Sequence, residues 1–471
     1  MRWLRRIGSW IYDRAGLEAG HSFLLQHKVP AVVTGRKGWM YVFGTSLLAM
    51  FLLQALTGIA LATLYVPSAD HAYESIRFIT VDVLLGGLLR ALHFFGASAM
   101  IVLLMIHAAR TFLTAAYKFP REMNWISGVV LGLLVFGMAF TGQTLRWDDS
   151  ALWGVVVAGH FADRVPWIGP WLSDLIIGGE TVDGVTLTRF YATHVFLLPI
   201  TIVALIGLHM FLVVHHGISE PPKAGEKVDP ATYREKYAAL KKSGRKYFPY
   251  MALREAITAA VIFAIVLVLA LVVGPQPLTD RPDPTLLSAE PHPDWFVVWY
   301  YGLLFFKDRG LEALFMVYAP ILLVIGAIAL PLLFPKGERS PTRRPWAVVL
   351  VVFAFLVFGA LILIGQRAPW APAIGTEPLG PEQLGPVSPE VQDGALTFHE
   401  QGCQYCHSVA GVGGDYGPDL TDVAARLSPG DIAVRTIYGY GDMPAYRDRI
   451  SREQLDRIVL FLRAVREEQQ P

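Results

Sequence analysis

The sequence predicts an all-α protein: a polytopic membrane bundle of seven transmembrane helices, followed by a small α-helical domain outside the bilayer. Hydrophobic residues make up 54% of the 471 residues and charged residues only 17%, whereas soluble proteins average about 25% charged residues. The mean hydropathy of +0.43 agrees with this composition. A net charge of +1 excludes nucleic-acid binding that depends on phosphate neutralisation.

Seven apolar stretches are long enough to cross a bilayer, which needs about 20 helical residues. They are 39–66, 88–116, 126–145, 190–216, 252–274, 311–334 and 346–365. Residues 1–20 alternate apolar side chains with Arg2, Arg5, Arg6 and Arg14. This alternation predicts an interfacial amphipathic helix within an N-terminal segment, 1–36.

The basic residues predict the orientation of the spans. The N-terminus and the loops near 117–125, 217–249 and 335–345 hold 21 Lys and Arg residues, whereas the opposite loops hold 8. Cytoplasmic loops are enriched in Lys and Arg, so the N-terminus is predicted to be cytoplasmic. Seven crossings then place the C-terminal domain outside the cytoplasm.

Both cysteines of the chain lie in Cys403-Gln404-Tyr405-Cys406-His407, the pattern of c-type haem attachment. A structural zinc site needs four ligands, and no second Cys pair exists to complete one. A redox dithiol would not require the histidine. The motif lies in a polar segment, 390–471, which follows a Pro-rich linker at 368–389. Covalent haem attachment occurs outside the cytoplasm, in agreement with the predicted orientation.

Four histidines lie inside two of the predicted spans. His93 and His107 are 14 residues apart in the second span, and His194 and His209 are 15 apart in the fourth. Each step is about four helical turns, so each pair lies along one helix face. Both spans run inwards, so His93 can face His194 near the outer surface and His107 can face His209 near the inner one. This predicts two bis-imidazole haem b sites; the alternative is four unrelated hydrogen-bonded polar residues.

Glycines and arginines accompany these histidines. Two pairs of glycines, each 14 residues apart, occur in spans one and three: Gly44 with Gly58, and Gly128 with Gly142. A residue without a side chain lets a macrocycle pack flat against the backbone. Arg90 and Arg110 each lie three residues from a histidine. Each could pair with haem propionates or anchor a helix end in the headgroups.

Together these motifs resemble cytochrome b of the Rieske/cytochrome b complexes. The resemblance covers about 20–366. It includes the run from Val42 to Arg110, the stretch 141–148, TGQTLRWD, and the residues 188–191, TRFY, ahead of His194. The 15-residue histidine step resembles the chloroplast b6 type rather than the mitochondrial type, and residues 249–366 resemble subunit IV. The resemblance implies a b6-like four-helix di-haem domain at 37–220, fused to a subunit IV-like three-helix domain at 221–367.

The loop between spans five and six contains Pro293-Asp294-Trp295-Phe296 on the outer side. This sequence is similar to the family's Pro-Glu-Trp-Tyr quinol-oxidation motif, with Asp for Glu and Phe for Tyr. Quinol oxidation releases two protons, and a carboxylate beside a dry pocket can accept one. Without the haem pairs, the loop would equally fit an interfacial segment with an aromatic belt residue, Trp295. The departure from Glu favours menaquinol as the substrate.

The resemblance also implies an inner quinone-reduction site near His107 and His209. His215 and His216 are the nearest titratable candidates, although both would equally fit a solvated loop. Chloroplast-type b6 proteins attach a further haem through a cysteine at the position of Val42. The cysteines here belong to the C-terminal motif, so two haems b and one covalent haem c are expected.

The C-terminal domain resembles the class I cytochromes c. By this resemblance Cys403 and Cys406 form the thioethers and His407 is the proximal iron ligand. Gly441-Asp442-Met443-Pro444 resembles the distal-ligand loop, which makes Met443 the sixth ligand; His399 is the rival. Gly417-Pro418-Asp419-Leu420 resembles the segment in which the carbonyl of Pro418 accepts the histidine ring N–H.

The resemblance implies a quinol:cytochrome c oxidoreductase subunit in the prokaryotic cell membrane. Quinol would be oxidised at the outer site, with one electron passing to a Rieske iron–sulfur partner and the other through the two haems b to an inner quinone. The fused c domain would act as the c1- or f-like acceptor and serve a soluble or membrane-bound c-type cytochrome. A homodimeric complex is expected from the family. The rival is a non-bifurcating haem conduit that anchors another respiratory enzyme.

Overall fold

A computed structural model describes residues 26–163, 165–178, 182–282, 292–305, 314–367, 378–414, 417–440, 443, 445–447 and 449–467. The predicted amphipathic helix at 1–20 lies outside the described residues. So do the first part of the linker, 368–377, and the neighbours of Met443 at 441, 442 and 444. The predicted all-α class is confirmed, since the strands among the described residues form only short two-residue pairs.

Among the described residues, seven helices are long and apolar enough to cross a membrane, as the sequence predicted, and the chain is a multi-pass membrane protein. In chain order, spans one to seven are Phe43–Ala62, Gly86–Leu113, Glu122–Thr144, Gly184–His216, Tyr250–Val272, Leu314–Leu333 and Pro345–Arg367. The fourth span contains a π-helical turn at Thr193–Leu197, and the sixth begins with another at Leu314–Tyr318.

The span limits differ from the predicted ones by a few residues, and for two of the starts the structure shows a local reason. The first helix begins at Phe43 rather than at residue 39, because Arg36–Tyr41 forms a 3₁₀ helix. The fourth begins six residues earlier than predicted, at Gly184. Asp183 accepts the backbone N–H groups of Val185 at 2.7 Å and Thr186 at 3.4 Å. This side-chain cap satisfies donors that a helix start leaves unpaired.

The chain divides into two compact units, and the first comprises 1–146, 188–278 and 294–366. Its core lies between the spans, where Met50, Met100, Val135 and Val266 pack with Phe296. Its shorter helices are Ala31–Thr34, Ala72–Val81, Pro230–Lys242 and Trp295–Tyr301, with 3₁₀ turns at Gly302–Phe305 and Pro341–Arg343. Two antiparallel strand pairs join distant segments: Lys28–Val29 with Arg245–Lys246, and Lys227–Val228 with Gly337–Glu338.

The second unit comprises 147–187, 279–293 and 367–471. Its first part contains the helices Asp149–Asp163 and Gly169–Ile177. Its C-terminal part contains Pro381–Leu384, Pro389–Glu400, Cys403–Cys406, Val423–Arg426, Pro429–Tyr438 and Arg452–Glu467, with an antiparallel pair between Ser408–Val409 and Val412–Gly413. Phe398 and Phe461 pack in the core of this part with ring centroids 5.5 Å apart and ring planes tilted by 52°.

A buried arginine joins the b6-like and subunit IV-like sequences within the first unit. The Arg339 side chain, only 5% exposed, forms an ion pair with Glu220 and a hydrogen bond with Ser219. The same guanidinium donates to the carbonyl of Glu220 at 2.7 Å and to that of Thr114 at 3.4 Å. One side chain therefore fastens the loop before span seven to the loops after spans two and four.

Replacing Glu220 should destabilise the protein because it leaves the Arg339 charge buried without its carboxylate. Glu220→Gln is expected to cost about 3 kcal/mol, the low end for breaking a buried pair, since Glu220 keeps 18% exposure. The matched control is Glu226→Gln, which breaks the exposed Lys223–Glu226 pair and should cost less than about 1 kcal/mol. Thermal unfolding in detergent measures both variants. Equal decreases in the unfolding temperature would contradict a stabilising role for the buried Arg339–Glu220 pair.

Candidate haem and quinol sites

The outer histidines of spans two and four face each other. The ring centroids of His93 and His194 are 6.3 Å apart, with an interplanar angle of 73°. Two imidazoles on opposite sides of one metal ion, with metal–nitrogen bonds of about 2 Å, place their centroids roughly 6 Å apart. The separation therefore suits a bis-imidazole iron. At the inner level, His107 and His209 are close enough to interact electrostatically.

Each of these histidines lies against one of the four glycines that the sequence singled out. A Cβ atom on the glycine would lie 2.7–3.4 Å from the Cε1 atom of the imidazole. The pairs are Gly58 with His93, Gly142 with His194, Gly44 with His107 and Gly128 with His209. Real Cβ atoms avoid the shortest of these distances. Spans one and three thus provide a side-chain-free surface at two depths, the surface that a flat macrocycle requires.

Hydroxyl groups orient three of the four imidazoles. The side-chain oxygens of Thr57, Ser127 and Thr141 lie 2.9–3.0 Å from the Nδ1 atoms of His93, His209 and His194. Each hydroxyl also donates to a carbonyl of its own helix, as the Thr57 hydroxyl does to Leu53 at 2.7 Å. The hydroxyl oxygen is then left as an acceptor, so Nδ1 must carry the proton. This tautomer leaves the Nε2 lone pair for a metal.

The unequal histidine spacings are reconciled by the π-helical turn of span four. His194 lies within this turn, Thr193–Leu197, whereas the 14 residues between His93 and His107 lie in continuous α-helix. A π turn accommodates one extra residue in a helix and often occurs at functional sites. The 15-residue step from His194 to His209 therefore matches the 14-residue step in depth.

The two arginines near the histidines have different partners. The buried Arg90 donates to the hydroxyl of Thr80 at 3.1 Å. The Arg110 guanidinium lies 4.0 Å from the Tyr41 ring centroid, and its Nε atom is buried without a hydrogen-bond partner in the described structure. An orphaned buried donor beside His107 fits an anionic haem propionate. The residues present fit two b-type haems.

The Pro293–Phe296 motif places Asp294 in a polar cluster of the first unit. Its Oδ1 atom accepts from Gln276 Nε2 at 2.6 Å and from Arg146 Nη1 at 3.2 Å. Its backbone N–H donates to Gln143 Oε1 at 3.1 Å. The Asp294 side chain is only 5% exposed, so the carboxylate lies in a dry environment.

The aromatic members of the motif line the same region. Trp295 donates from Nε1 to the Ser98 hydroxyl at 3.0 Å, and Phe296 is buried in the core between the spans. Pro293, the first motif residue, is also buried. A buried carboxylate bordered by aromatic and aliphatic side chains is a suitable place to take up a proton from a bound apolar donor.

At the inner end, a second buried carboxyl lies close to the inner histidines. Glu255 is 6% exposed and accepts the hydroxyl of Tyr247 as well as a side-chain hydrogen bond from Thr45. Thr45 follows Gly44, against which His107 packs. Burial, followed by the bond to Glu255, raises the pKa of Tyr247, so its hydroxyl keeps its proton.

The inner histidine candidates lie elsewhere on span four. His215 stacks on Phe211 with ring centroids 5.9 Å apart, and His216 Nδ1 lies 2.8 Å from Asn124 Oδ1.

The C-terminal domain brings its predicted haem ligands to one cavity of about 320 Å³, lined by Cys403, His407, Pro418 and Met443. His407 Nδ1 lies 2.8 Å from the carbonyl oxygen of Pro418, the contact expected from the sequence. Burial lowers the pKa of His407, which favours the neutral imidazole that binds iron. Burial also raises the pKa of the Cys403 thiol to about 12.

Two further contacts bear on the ligands of this domain. A Cβ at Gly417 would lie 2.5 Å from His407 Cε1, so only glycine fits beside the ring. His399, the rival sixth ligand, lies 3.2 Å from Gln404 Oε1 through its Nδ1 atom and is not among the residues lining the cavity. The residues present fit a covalently attached haem c with a histidine and a methionine ligand.

Sequence reasoning missed several of these residues. The hydroxyls could have been found, because Thr57, Ser127 and Thr141 each directly precede one of the spaced glycines. The Arg146 and Gln276 contacts to Asp294 and the pair formed by Tyr247 and Glu255 have no such signal, since nothing in the local pattern links them. Both predicted thioether cysteines, in contrast, lie where the motif predicts, at the two ends of the short helix Cys403–Cys406.

Comparison with known proteins identifies two families in the chain. The family model "Cytochrome b/b6/petB" matches residues 28–217, and the model "Cytochrome C oxidase, cbb3-type, subunit III" matches residues 389–462.

Individual relatives agree with these matches. The menaquinol:cytochrome c reductase cytochrome b subunit of Geobacillus thermodenitrificans is 36% identical over 46% of this chain and 99% of its own length. Cytochrome b of Rhodobacter capsulatus is 28% identical over 79% of this chain and 85% of its own length. A solved "Hyperthermophilic respiratory Complex III" chain superposes with a TM-score of 0.63 at 26% identity, covering 77% of this chain and 92% of that one.

The histidine pairing predicts separable losses of cofactor. His93→Leu and His194→Leu should each remove the same outer haem, whereas His107→Leu and His209→Leu should each remove the inner one. The control is His215→Leu, which should leave both haems in place. Low-temperature absorption spectra and redox titration of the purified variants report which haem remains. Loss of the same haem from the His93 and His107 variants would contradict the pairing by depth.

The sixth ligand of the C-terminal haem should be Met443. Met443→Ala is expected to open the iron to carbon monoxide, while the haem stays covalently attached through Cys403 and Cys406. His399→Ala, the control, should not open it. Carbon monoxide difference spectra on the full chain measure both variants; binding to the His399 variant alone would assign the ligand to His399.

Proposed function

Since the chain belongs to the cytochrome b/b6 family and is the cytochrome b subunit of a quinol:cytochrome c reductase-type complex, we propose that it oxidises quinol at an outer site around Asp294. The two electrons of the quinol divide between a Rieske iron–sulfur partner and a path across the membrane to an inner quinone. The observation that carries this proposal is the buried Asp294 cluster in a bundle that also holds the facing imidazoles of His93 and His194 and, against Gly44 and Gly128, those of His107 and His209.

The transmembrane path depends on the histidines of spans two and four. His93 with His194 would hold one b-type haem and His107 with His209 the other, and haem supplies reversible one-electron chemistry. The chain's own contribution is to fix the imidazoles. The hydroxyls of Thr57, Ser127 and Thr141 support this by setting the tautomer of three of them. Arg90 and Arg110 would hold propionates.

Asp294 acts as the proton acceptor at the outer site. Quinol oxidation releases two protons in a region that excludes water, so a fixed carboxylate is needed to remove one of them. Trp295 and Phe296 supply apolar walls for the quinol, and Pro293 fixes the backbone before the carboxylate. Menaquinol is the proposed substrate, which the name of the Geobacillus relative supports.

Glu255 acts at the inner quinone site. Reduction of a quinone consumes protons, and the Glu255 carboxyl lies buried within one hydrogen bond of Tyr247 and Thr45, beside the inner histidine level. This carboxyl is better placed for that role than His216, which lies beside Asn124. The proposal places the inner site between the first and fifth spans.

The C-terminal domain acts as the electron acceptor for the Rieske partner. It carries a covalent haem c, as its family does, with His407 and Met443 as proposed ligands. A covalently fused domain has a high effective concentration near its donor, which suits a role in place of a separate c1- or f-type subunit. A c-type cytochrome is the proposed onward acceptor.

The proposed orientation follows the distribution of basic residues, with the N-terminus cytoplasmic and the C-terminal domain outside. A homodimeric complex with two haems b and one haem c per chain completes the proposal. The rival function, a non-bifurcating haem conduit, requires neither the Asp294 cluster nor Glu255. Both carboxyls are buried and hydrogen-bonded, which favours a chain with quinone chemistry at each face.

Asp294→Asn tests the proposed function because it keeps the shape of the side chain and removes the base. Quinol oxidation should fall by about 10²–10⁴-fold, the usual cost of losing a general base. Haem content and spectra should stay unchanged. The control is Asp70→Asn, an exposed carboxylate near the outer end of span one, which should retain full turnover. Normal turnover of the Asp294 variant at every pH would favour the conduit.

A further inference from the structure

The Asp294 carboxylate is held asymmetrically. Both hydrogen bonds to the carboxylate reach the same oxygen, Oδ1, from the Arg146 guanidinium and the Gln276 amide. Within the described part of the chain, no donor reaches Oδ2. One oxygen is therefore tied by two donors, while the other is left available to a ligand or a proton.

The donors come from separate elements that converge on Asp294. Arg146 follows the end of span three, two residues after Thr144, and Gln276 follows the end of span five. The Arg146 side chain is 11% exposed and that of Asp294 5%. In such surroundings the attraction between the two charges is much less screened than at a surface. Among the described residues, Arg146 is the one basic side chain within 4 Å of the carboxylate, and the neutral amide of Gln276 is the other donor to it. Gln143 accepts from the backbone N–H of Asp294 instead.

We propose that Arg146 is the positioning residue of the outer site: it holds Asp294 by Oδ1 and directs the proton released by quinol to Oδ2. This inference rests on the proposed function. An arginine does not give up its own proton in a protein, so Arg146 acts through Asp294 rather than as a base. Gln276 fixes the carboxylate plane by supplying the second bond to Oδ1.

The proposal explains how a short side chain can serve in this loop. Aspartate reaches one methylene less far than glutamate, so its carboxylate has fewer orientations. The guanidinium then selects one of them and offsets the cost of burying the charge. A proton that reaches Oδ2 neutralises the carboxylate and weakens its attraction to Arg146, which frees the protonated side chain to turn away from the quinol.

Arg146→Gln removes the charge and keeps a polar side chain, whereas Arg146→Lys keeps the charge. An opposite charge at this distance shifts the protonation of a carboxylate by about 1–3 pH units. Without it, Asp294 holds its proton at higher pH, so the acid limb of the rate–pH profile should move upwards by at least about one unit. Below that limb the rate falls about tenfold per unit. Arg146→Lys should stay close to the parent profile. The matched control, Arg77→Gln, removes an exposed cation on the surface helix Ala72–Val81 and should shift nothing.

Infrared difference spectroscopy on the resting complex separates this inference from the proposed function. The carboxyl band of Asp294 is identified by its loss in Asp294→Asn. In Arg146→Gln this band should titrate at higher pH, whether or not Asp294 takes part in quinol oxidation. Haem spectra exclude misfolding. A shifted band with an unchanged rate profile supports the pairing and overturns the role of Asp294 as base. An unshifted band in a folded Arg146→Gln complex overturns the role of Arg146.

Discussion

The close approach of four imidazoles to four glycines is the constraint on which the membrane part of the chain depends. A Cβ atom at each glycine would lie only 2.7–3.4 Å from an imidazole carbon, so the close contact of spans one and three with the histidines of spans two and four depends on their glycine faces. In a bilayer, hydrophobic burial does not select which helix faces meet, and small residues that permit close contact take over that role. The glycines therefore set the rotation and the depth of four helices together, and the hydroxyls beside them set the imidazole tautomers.

Sequence reasoning identifies the parts of this structure that repeat or that have a fixed local pattern. Apolar length predicts the seven spans, and the matched spacing of histidines and glycines predicts the two levels at which the structure places imidazoles against glycines. It does not give contacts between segments that are far apart in the chain, such as Arg146 with Asp294. Neither hydropathy nor spacing constrains which loop residue meets which helix end. Helical periodicity does not predict the π turn at Thr193–Leu197 either, because it describes one constant repeat along the whole span.

The two buried carboxyls of the first unit have different hydrogen-bond partners. Asp294 accepts from the charged guanidinium of Arg146 and from the amide of Gln276. Glu255 faces the neutral hydroxyls of Tyr247 and Thr45, whose bonds accommodate either form of the carboxyl. Contacts between the polar loops outside the spans hold the helices that carry these carboxyls. Arg339 and its bonds to Glu220 and Thr114 hold the loop between spans six and seven against the b6-like sequence, so that spans five to seven stay in position against it.

The π turn in span four has a consequence for how such chains diverge. Because the turn absorbs a single residue, the loss of one codon after His194, between 195 and 197, would restore a regular α-helix and leave the imidazoles of His194 and His209 at the same two depths. The 14- and 15-residue forms are then separated by one small indel that the helix can absorb locally, without moving either loop at its ends. Lineages could cross between the two forms in a single step, so histidine spacing alone is a weak marker of ancestry among these proteins.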